Sequence, residues 1–318
     1  MRIDTEHRLA GVLLAALAIP TAAAAVGTTT TVALSGQQAP GTPSGATFQS
    51  FGSVVLNAGA QVAFGATLAT GSGGVTSSND TGIWRGTTLI AREGSQAPGA
   101  ATGALFASFG NPLLADNGDV AFQATLLIGS GGVTSSNDVG VWRGSAIVAR
   151  AGSTAPGTGG AVFSPFWASP VMNASGQVAH GAFLLSGTGG VTSSNDAGIW
   201  RDDSLIAREG SQAPGAPAGA VFTGLNRPTI NDAGQVAFSA ALPIGTGGVT
   251  TNDDFGVWRG GALVAREGSQ APGTPAGAVF GLFASTIALN NNGQVAFAAT
   301  LRTGTAGVTA DNDAGIWR

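Results

Sequence analysis

The tripeptide Ala-Pro-Gly ends at Gly41, Gly99, Gly157, Gly215 and Gly273, at a constant interval of 58 residues. A second motif, Gly-Ile/Val-Trp-Arg, recurs at Trp84, Trp142, Trp200, Trp258 and Trp317, the last interval being longer by one through an insertion before Asn290. A period held this strictly requires each copy to occupy an equivalent structural position. It therefore displaces the expectation of two average domains that 318 residues would otherwise carry.

Each unit reads as four short strands, predicted around 53–56, 61–68, 82–85 and 88–92 in the first copy. The second has Val62, Phe64, Ala66 and Leu68 on one face and Ala63, Gly65 and Thr67 on the other. Such period-2 patterning with small residues behind suits a sheet covered on both faces. Between the first two strands lies Asn-x-x-Gly, as in Asn231-Asp232-Ala233-Gly234, where Asn opens the turn and Gly takes the positive φ. A tight turn after Trp-Arg, such as Gly86-Thr87, joins the last two strands. No helical period appears beyond Ala25.

Four antiparallel strands repeated five times predict an all-β fold, a β-propeller of about five four-stranded blades. Residues 32–41 align with the fourth strand of a unit, and the chain reaches Arg318 after a third strand. The two segments together make one blade, so closure by N- and C-terminal strands in one blade is expected, because it removes exposed edges. The same phase also fits a piece of a longer array.

The segment from Met1 to Ala25 reads as a signal peptide: Arg2, His7 and Arg8 precede an apolar run from Leu9 to Ile19, with small residues Ala22 to Ala25 behind it. The run is too short to span a bilayer. The expected organisation is a signal peptide over 1–25 and a single repeat domain over 26–318. The product would be exported: secreted, periplasmic or at the cell surface, with no membrane span after cleavage. Cysteine is absent, which excludes disulfides and thiolate metal sites. A net charge of −4 without any Lys or basic run excludes a nucleic-acid surface.

Asn231-Gly234-Ala237-Phe238 and Asn290-Gly293-Ala296-Phe297 spell Asn-x-x-Gly-x-x-Ala-Phe in full. Copy one has Ala60 for Gly, copy two Ala115 for Asn, and copy three His180 for Phe. The pattern resembles the NxxGxxAF tandem repeat of exported bacterial proteins with varied C-terminal anchors. The resemblance implies a surface or secreted protein and brings no activity with it. No anchor is recognisable in this chain.

The loop Gly-Gly-Val-Thr-Ser-Ser-Asn-Asp places Asp80, Asp138, Asp196, Asp254 and Asp313 at equivalent positions, with Asn79, Asn137 and Asn195 beside three of them. Oxygen-rich loops of this kind suit calcium, the one cofactor considered. The same residues also serve simply to bond local backbone N–H groups and fix the turn. The repeated Trp residues are expected as packing anchors between blades. Arg92-Glu93, Arg208-Glu209 and Arg266-Glu267 are expected as partners in inter-blade ion pairs.

A specialised site should lie where a copy breaks the pattern. His180 at a Phe position, Trp167 without counterpart and Arg227 before the Asn231 turn are the candidate binding residues; a core histidine bonded to a backbone carbonyl is the plainer reading of His180. Asp202-Asp203 is expected as a solvated hairpin. No catalytic residues are assigned. Near-identical units suit a noncatalytic binding or scaffold module and its avidity, with an extracellular ligand such as a polysaccharide or surface protein and a monomeric chain. The alternative is a secreted propeller hydrolase acting on carbohydrate, which needs two carboxyls in unlike environments.

Overall fold

The third strand of each unit carries Gly-Ile/Val-Trp-Arg, and its geometry shows why that order recurs. In β8 (Val139–Arg143) a side chain on Gly140 would sit 2.8 Å from two atoms of the Trp142 ring and 3.0 Å from the Ala149 carbonyl. The indole therefore folds back along its own strand over the bare glycine. Its Nε1 donates to the Pro98 carbonyl at 3.1 Å, and Trp84, Trp200, Trp258 and Trp317 bond Pro40, Pro156, Pro214 and Pro272 at 2.9–3.2 Å. Each Ala-Pro-Gly loop is thus tied to the tryptophan of its own unit, 44 or 45 residues on.

The computed structural model describes residues 29–318, and the signal peptide expected over residues 1–25 lies outside them. Residues 32–318 form one unit of five antiparallel sheets of three to five strands. The first sheet is β1 (Phe48–Leu56), β2 (Val62–Leu68), β3 (Thr81–Arg85) and β4 (Thr88–Arg92), paired in that order. The second holds β5 (Phe106–Phe109), β6 (Leu113–Leu114), β7 (Val120–Leu126), β8 and β9 (Ala146–Arg150). In the third are β10 (Phe163–Met172), β11 (Val178–Leu184), β12 (Ala197–Arg201) and β13 (Ser204–Arg208). The fourth has β14 (Thr223–Leu225), β15 (Thr229–Ile230), β16 (Val236–Ala241), β17 (Phe255–Arg259) and β18 (Ala262–Arg266). The last has β19 (Phe280–Leu289), β20 (Val295–Leu301) and β21 (Ala314–Trp317).

The expected meander is present in every unit, with one refinement. The opening strand starts at Phe48 rather than near Ser53, and in units two and four it is split in two by Pro112 and Pro228. Proline has no N–H to give to a ladder. The three middle sheets are covered on both faces. Ala63, Ile83 and Ala91 of the first unit pack on Phe106, Phe122 and Trp142 of the second, and the same relation recurs along the chain. Within one aromatic face Phe122 stacks on Trp142 at 11° and Phe106 meets Trp142 edge-on at 74°. Such pairs contribute about 0.5–1.5 kcal/mol each beyond their buried area.

Polar bonds run between equivalent turns. Asn57 Nδ2 donates to the Ala115 carbonyl at 2.8 Å, Asn173 to Asn231 at 2.8 Å and Asn231 to Asn290 at 2.9 Å. Arg85, Arg143, Arg201 and Arg259 each donate to the turn-glycine carbonyl of the next unit, at Gly118, Gly176, Gly234 and Gly293. Among the described residues the ion pairs expected from the Arg-Glu dipeptides do not cross between units. Arg92 instead donates to the Asn79 carbonyl at 2.8 Å, inside its own unit. Among the described residues the pair that does cross is Arg143–Asp202 at 3.0 Å, so Asp202 is not the solvated turn residue expected.

The expected closure of a five-bladed ring is not formed among the described residues. Residues 32–41 make no strand with β21. Gln38 bridges Thr47 and Gly36 donates to the Phe48 carbonyl, which places the segment on the first sheet. Ala33 packs with Phe48, Phe64 and Trp84, as Ala91 packs with Phe106, Phe122 and Trp142. Gly94, Gln96 and Pro98 make the equivalent bonds to the second unit while β4 pairs with β3, so these contacts seat the segment on the first sheet without occupying the edge that a third strand would take. The last sheet has three strands, with β21 at its edge.

The substitution Gly140→Ala should overpack the Trp142 pocket and cost about 1–3 kcal/mol. Thermal denaturation should show the lowered midpoint, and an unchanged midpoint would remove the close approach as the reason for glycine here.

Candidate functional site

The five loop aspartates occupy equivalent, half-buried places, and their main chains carry structure. The carbonyls of Asp80, Asp138, Asp196, Asp254 and Asp313 accept from Leu68, Leu126, Leu184, Leu242 and Leu301 at 2.6–2.7 Å, closing the loop between second and third strands. The preceding residue fixes the tip: Thr76, Thr134 and Thr192 donate their N–H to the side chains of Asn79, Asn137 and Asn195 at 2.8–2.9 Å. These are the local turn bonds that Asn and Asp side chains favour. Above them Thr76, Ser77 and Ser78, with their counterparts in units two and three, stay exposed.

Each of three aspartates is brought to a glutamate. Asp80, Asp196 and Asp254 stand beside Glu93, Glu209 and Glu267, because the two-residue turn sets the residue before the third strand against the one after the fourth. The signal is present in the sequence as a 13-residue spacing from Asp80 to Glu93, repeated in units three and four; the arginine before each glutamate points instead to a different pairing. In unit two the glutamate is replaced by Ala151. Burial raises the carboxyls of Glu93 and Glu209 above the usual range. Glu267, only 6% exposed, is pushed up to about 7 by burial, then by hydrogen bonding and charge from Asp254. Among the described residues no three His, Asp or Glu side chains come together as a cation cage would require. The arrangement offers the calcium expected from the sequence at most two carboxyls per loop.

The three candidate binding residues of the irregular copies do not converge. His180 is fully buried on the aromatic face of β11, stacked on Trp200 at 10° and edge-on to Phe163 and Phe166. Neither ring nitrogen has a hydrogen-bond partner among the described residues, so the backbone-bonded histidine of the plainer sequence reading is not what forms. Burial lowers its pKa to about 4. Trp167 covers the opposite face of the same sheet, its ring lying where a Gly181 side chain would be. Arg227 is exposed in the connection between β14 and β15, on a cavity of about 440 Å³ shared with Val171, Asn226 and Thr286. Four buried side-chain nitrogens of unit three have no hydrogen-bond partner among the described residues: Trp167 Nε1, both of His180, and Arg208 Nη2.

These features define a tandem-repeat all-β protein whose repeated geometry lies within its units and whose irregularities collect in the third. The chain belongs to the family of unknown function DUF7453, whose sequence pattern matches residues 21–146, 86–260 and 204–318. The three overlapping matches follow the internal repetition. No curated protein and no solved structure matches the chain.

Two titrations follow from this geometry, with opposite signs. His180 protonates less readily in the folded chain, so stability should fall as pH drops from about 6.5 to 4, on the order of 2–3 kcal/mol. His180→Phe restores the residue of the other units and removes two unbonded nitrogens. It should raise stability by about 1–3 kcal/mol at pH 7, and by more at pH 4. For Glu267 the raised carboxyl means that the folded chain holds its proton more tightly. Stability should fall as pH rises from about 4.5 to 7, and Glu267→Gln should remove that loss. Urea denaturation of each variant at pH 4, 5.5 and 8 measures both slopes.

Proposed function

We propose that this is an exported, noncatalytic binding or scaffold module whose repeated loops meet a polar extracellular ligand. One observation carries the reading: the Thr-Ser-Ser loop tips are exposed and equivalent, while the residues beneath them are committed to holding the loop. Hydroxyl groups presented at regular intervals suit a polymer with a repeat of its own, such as a polysaccharide, and weak contacts then add by avidity. Export is supported by the signal-peptide pattern of residues 1–25 and by the likeness to NxxGxxAF repeats. No described helix is long and apolar enough to cross a membrane.

Carbohydrate hydrolysis has one observation in its favour, the raised carboxyl of Glu267 beside Asp254. Those two carboxyls, however, are within hydrogen-bonding reach, whereas a glycosidase pair stands about 5–10 Å apart to admit water or sugar. The pair also recurs in units one and three, as a structural element would.

A glycan array probed with the purified chain tests the choice. Binding without sugar release is expected, and the triple variant Ser77→Ala, Ser135→Ala, Ser193→Ala should weaken it at least tenfold while any single substitution has little effect. Release of sugar would establish the hydrolase instead, and absence of binding across glycans would overturn the polysaccharide reading.

A further inference from the structure

The four contacts between consecutive sheets have one form, and the first and last described sheets show its two halves uncovered among the described residues. Ile83, Val141, Ile199 and Val257 are each at most 1% exposed, because the next unit's aromatic face lies on them. The equivalent Ile316 is 83% exposed, and Leu282 on the same sheet 72%. Ala63, Ala121, Ala179 and Ala237 are fully buried at the position where Ala296 is only half-buried. At the other end, the aromatic face of the first sheet leaves Phe51 43%, Val54 66% and Leu56 69% exposed. Cross-strand pairing of Val54 with Phe64 and of Leu56 with Val62 puts these side chains on the face that, in later units, receives the preceding sheet. Exposed apolar patches of this kind mark contact surfaces.

The polar groups are complementary too. Asn57, Asn173 and Asn231 donate across to the next turn, whereas the Asn290 amide bonds, among the described residues, only Gln294 in its own turn. Four motif arginines reach the next unit's turn carbonyl, and Arg318 stands in the same place with none to reach among the described residues. The matching acceptors at the first sheet are the carbonyls of Asn57 and Ala60, the counterparts of Ala115 and Gly118.

We propose that the chain associates head to tail with a second copy of itself, the Ile316 face of one molecule seating on the Phe51–Leu56 face of the next. The partner is specified by the molecule's own interior: the surface that fits the last sheet is the aromatic face of a unit, and the first sheet presents one. Because the two surfaces differ, the contact is heterologous and propagates until a ring closes or a filament grows. This departs from the monomer expected from the sequence. It goes beyond the binding reading and does not rest on it, since association needs no glycan.

Sedimentation of the purified full chain at increasing concentration tests the contact. The mean mass should rise past that of a dimer, and Ile316→Asp should weaken association at least tenfold with an unchanged melting temperature, as the side chain is already in solvent. A chain that stays monomeric, or an association indifferent to Ile316→Asp, would overturn the proposal. Orientation is tested in a chain without cysteine by the double variant Ala58→Cys, Asn291→Cys, patterned on the Asp232–Asn291 side-chain contact of 2.5 Å between units four and five. Oxidation should give a ladder of disulfide-linked multimers. A disulfide within one chain would show the ends closing on each other, and no disulfide would exclude the seating; either refutes the contact between copies.

Discussion

The bond from each tryptophan to the proline carbonyl of its own unit organises everything around it. The indole is large, wholly buried in the first four units, and needs both a partner for its N–H and a place for its ring. Glycine two residues earlier supplies the place and the Ala-Pro-Gly loop supplies the acceptor. Once the loop is drawn onto the sheet, the following strand begins at a set height, and the phenylalanines of the unit complete the aromatic face. A buried donor left unmet would cost about 1–3 kcal/mol, which opposes any drift of the loop away from the sheet.

Stacking follows from this anchor. An aromatic face built the same way in every unit asks for the same cover, and the preceding sheet provides it with Ala and Ile or Val. The polar ladder along the turns then sets one unit over the next. The interior is thereby given over to repetition, and variation is confined to loop tips, to the outer sheets and to the third unit. The Asp–Glu pairs belong to the same scheme: they recur because a hairpin of fixed length brings the same two residues together.

The third unit shows what departure does to such a scheme. Its connection from Gly157 to Phe163 is shorter by one than its neighbours' and its segment from Phe163 to Asn173 longer by one, which admits Trp167 against the bare Gly181. His180 keeps the stacking geometry of the phenylalanine it replaces, within 10° of the Trp200 plane, but brings two nitrogens that find no partner among the described residues. Only His180 preserves the shape of what it replaces, and both residues leave polar atoms unmet among the described residues. The two residues share a sheet yet face opposite neighbours, so one irregular copy does not amount to one site.

Period and strand order were legible in the sequence, because a strict repeat with alternating apolar positions and turn signals admits few other readings. Its local rules sufficed for the Asn-x-x-Gly turns and the Asn-fixed loops, whose bonds join neighbours four or five positions apart. What only the tertiary structure decided lies across longer distances. The seat of residues 36–41 on the first sheet was set by Trp84, 44 residues beyond Pro40, a bond that phase alone does not show. Glu93 turned to Asp80 rather than to an arginine of another blade because hairpin geometry, invisible in adjacency, put them side by side. The uncovered faces of the first and last sheets likewise exist only in three dimensions: Ile316 looks like Ile83 in the sequence, and differs from it solely in having no sheet upon it among the described residues.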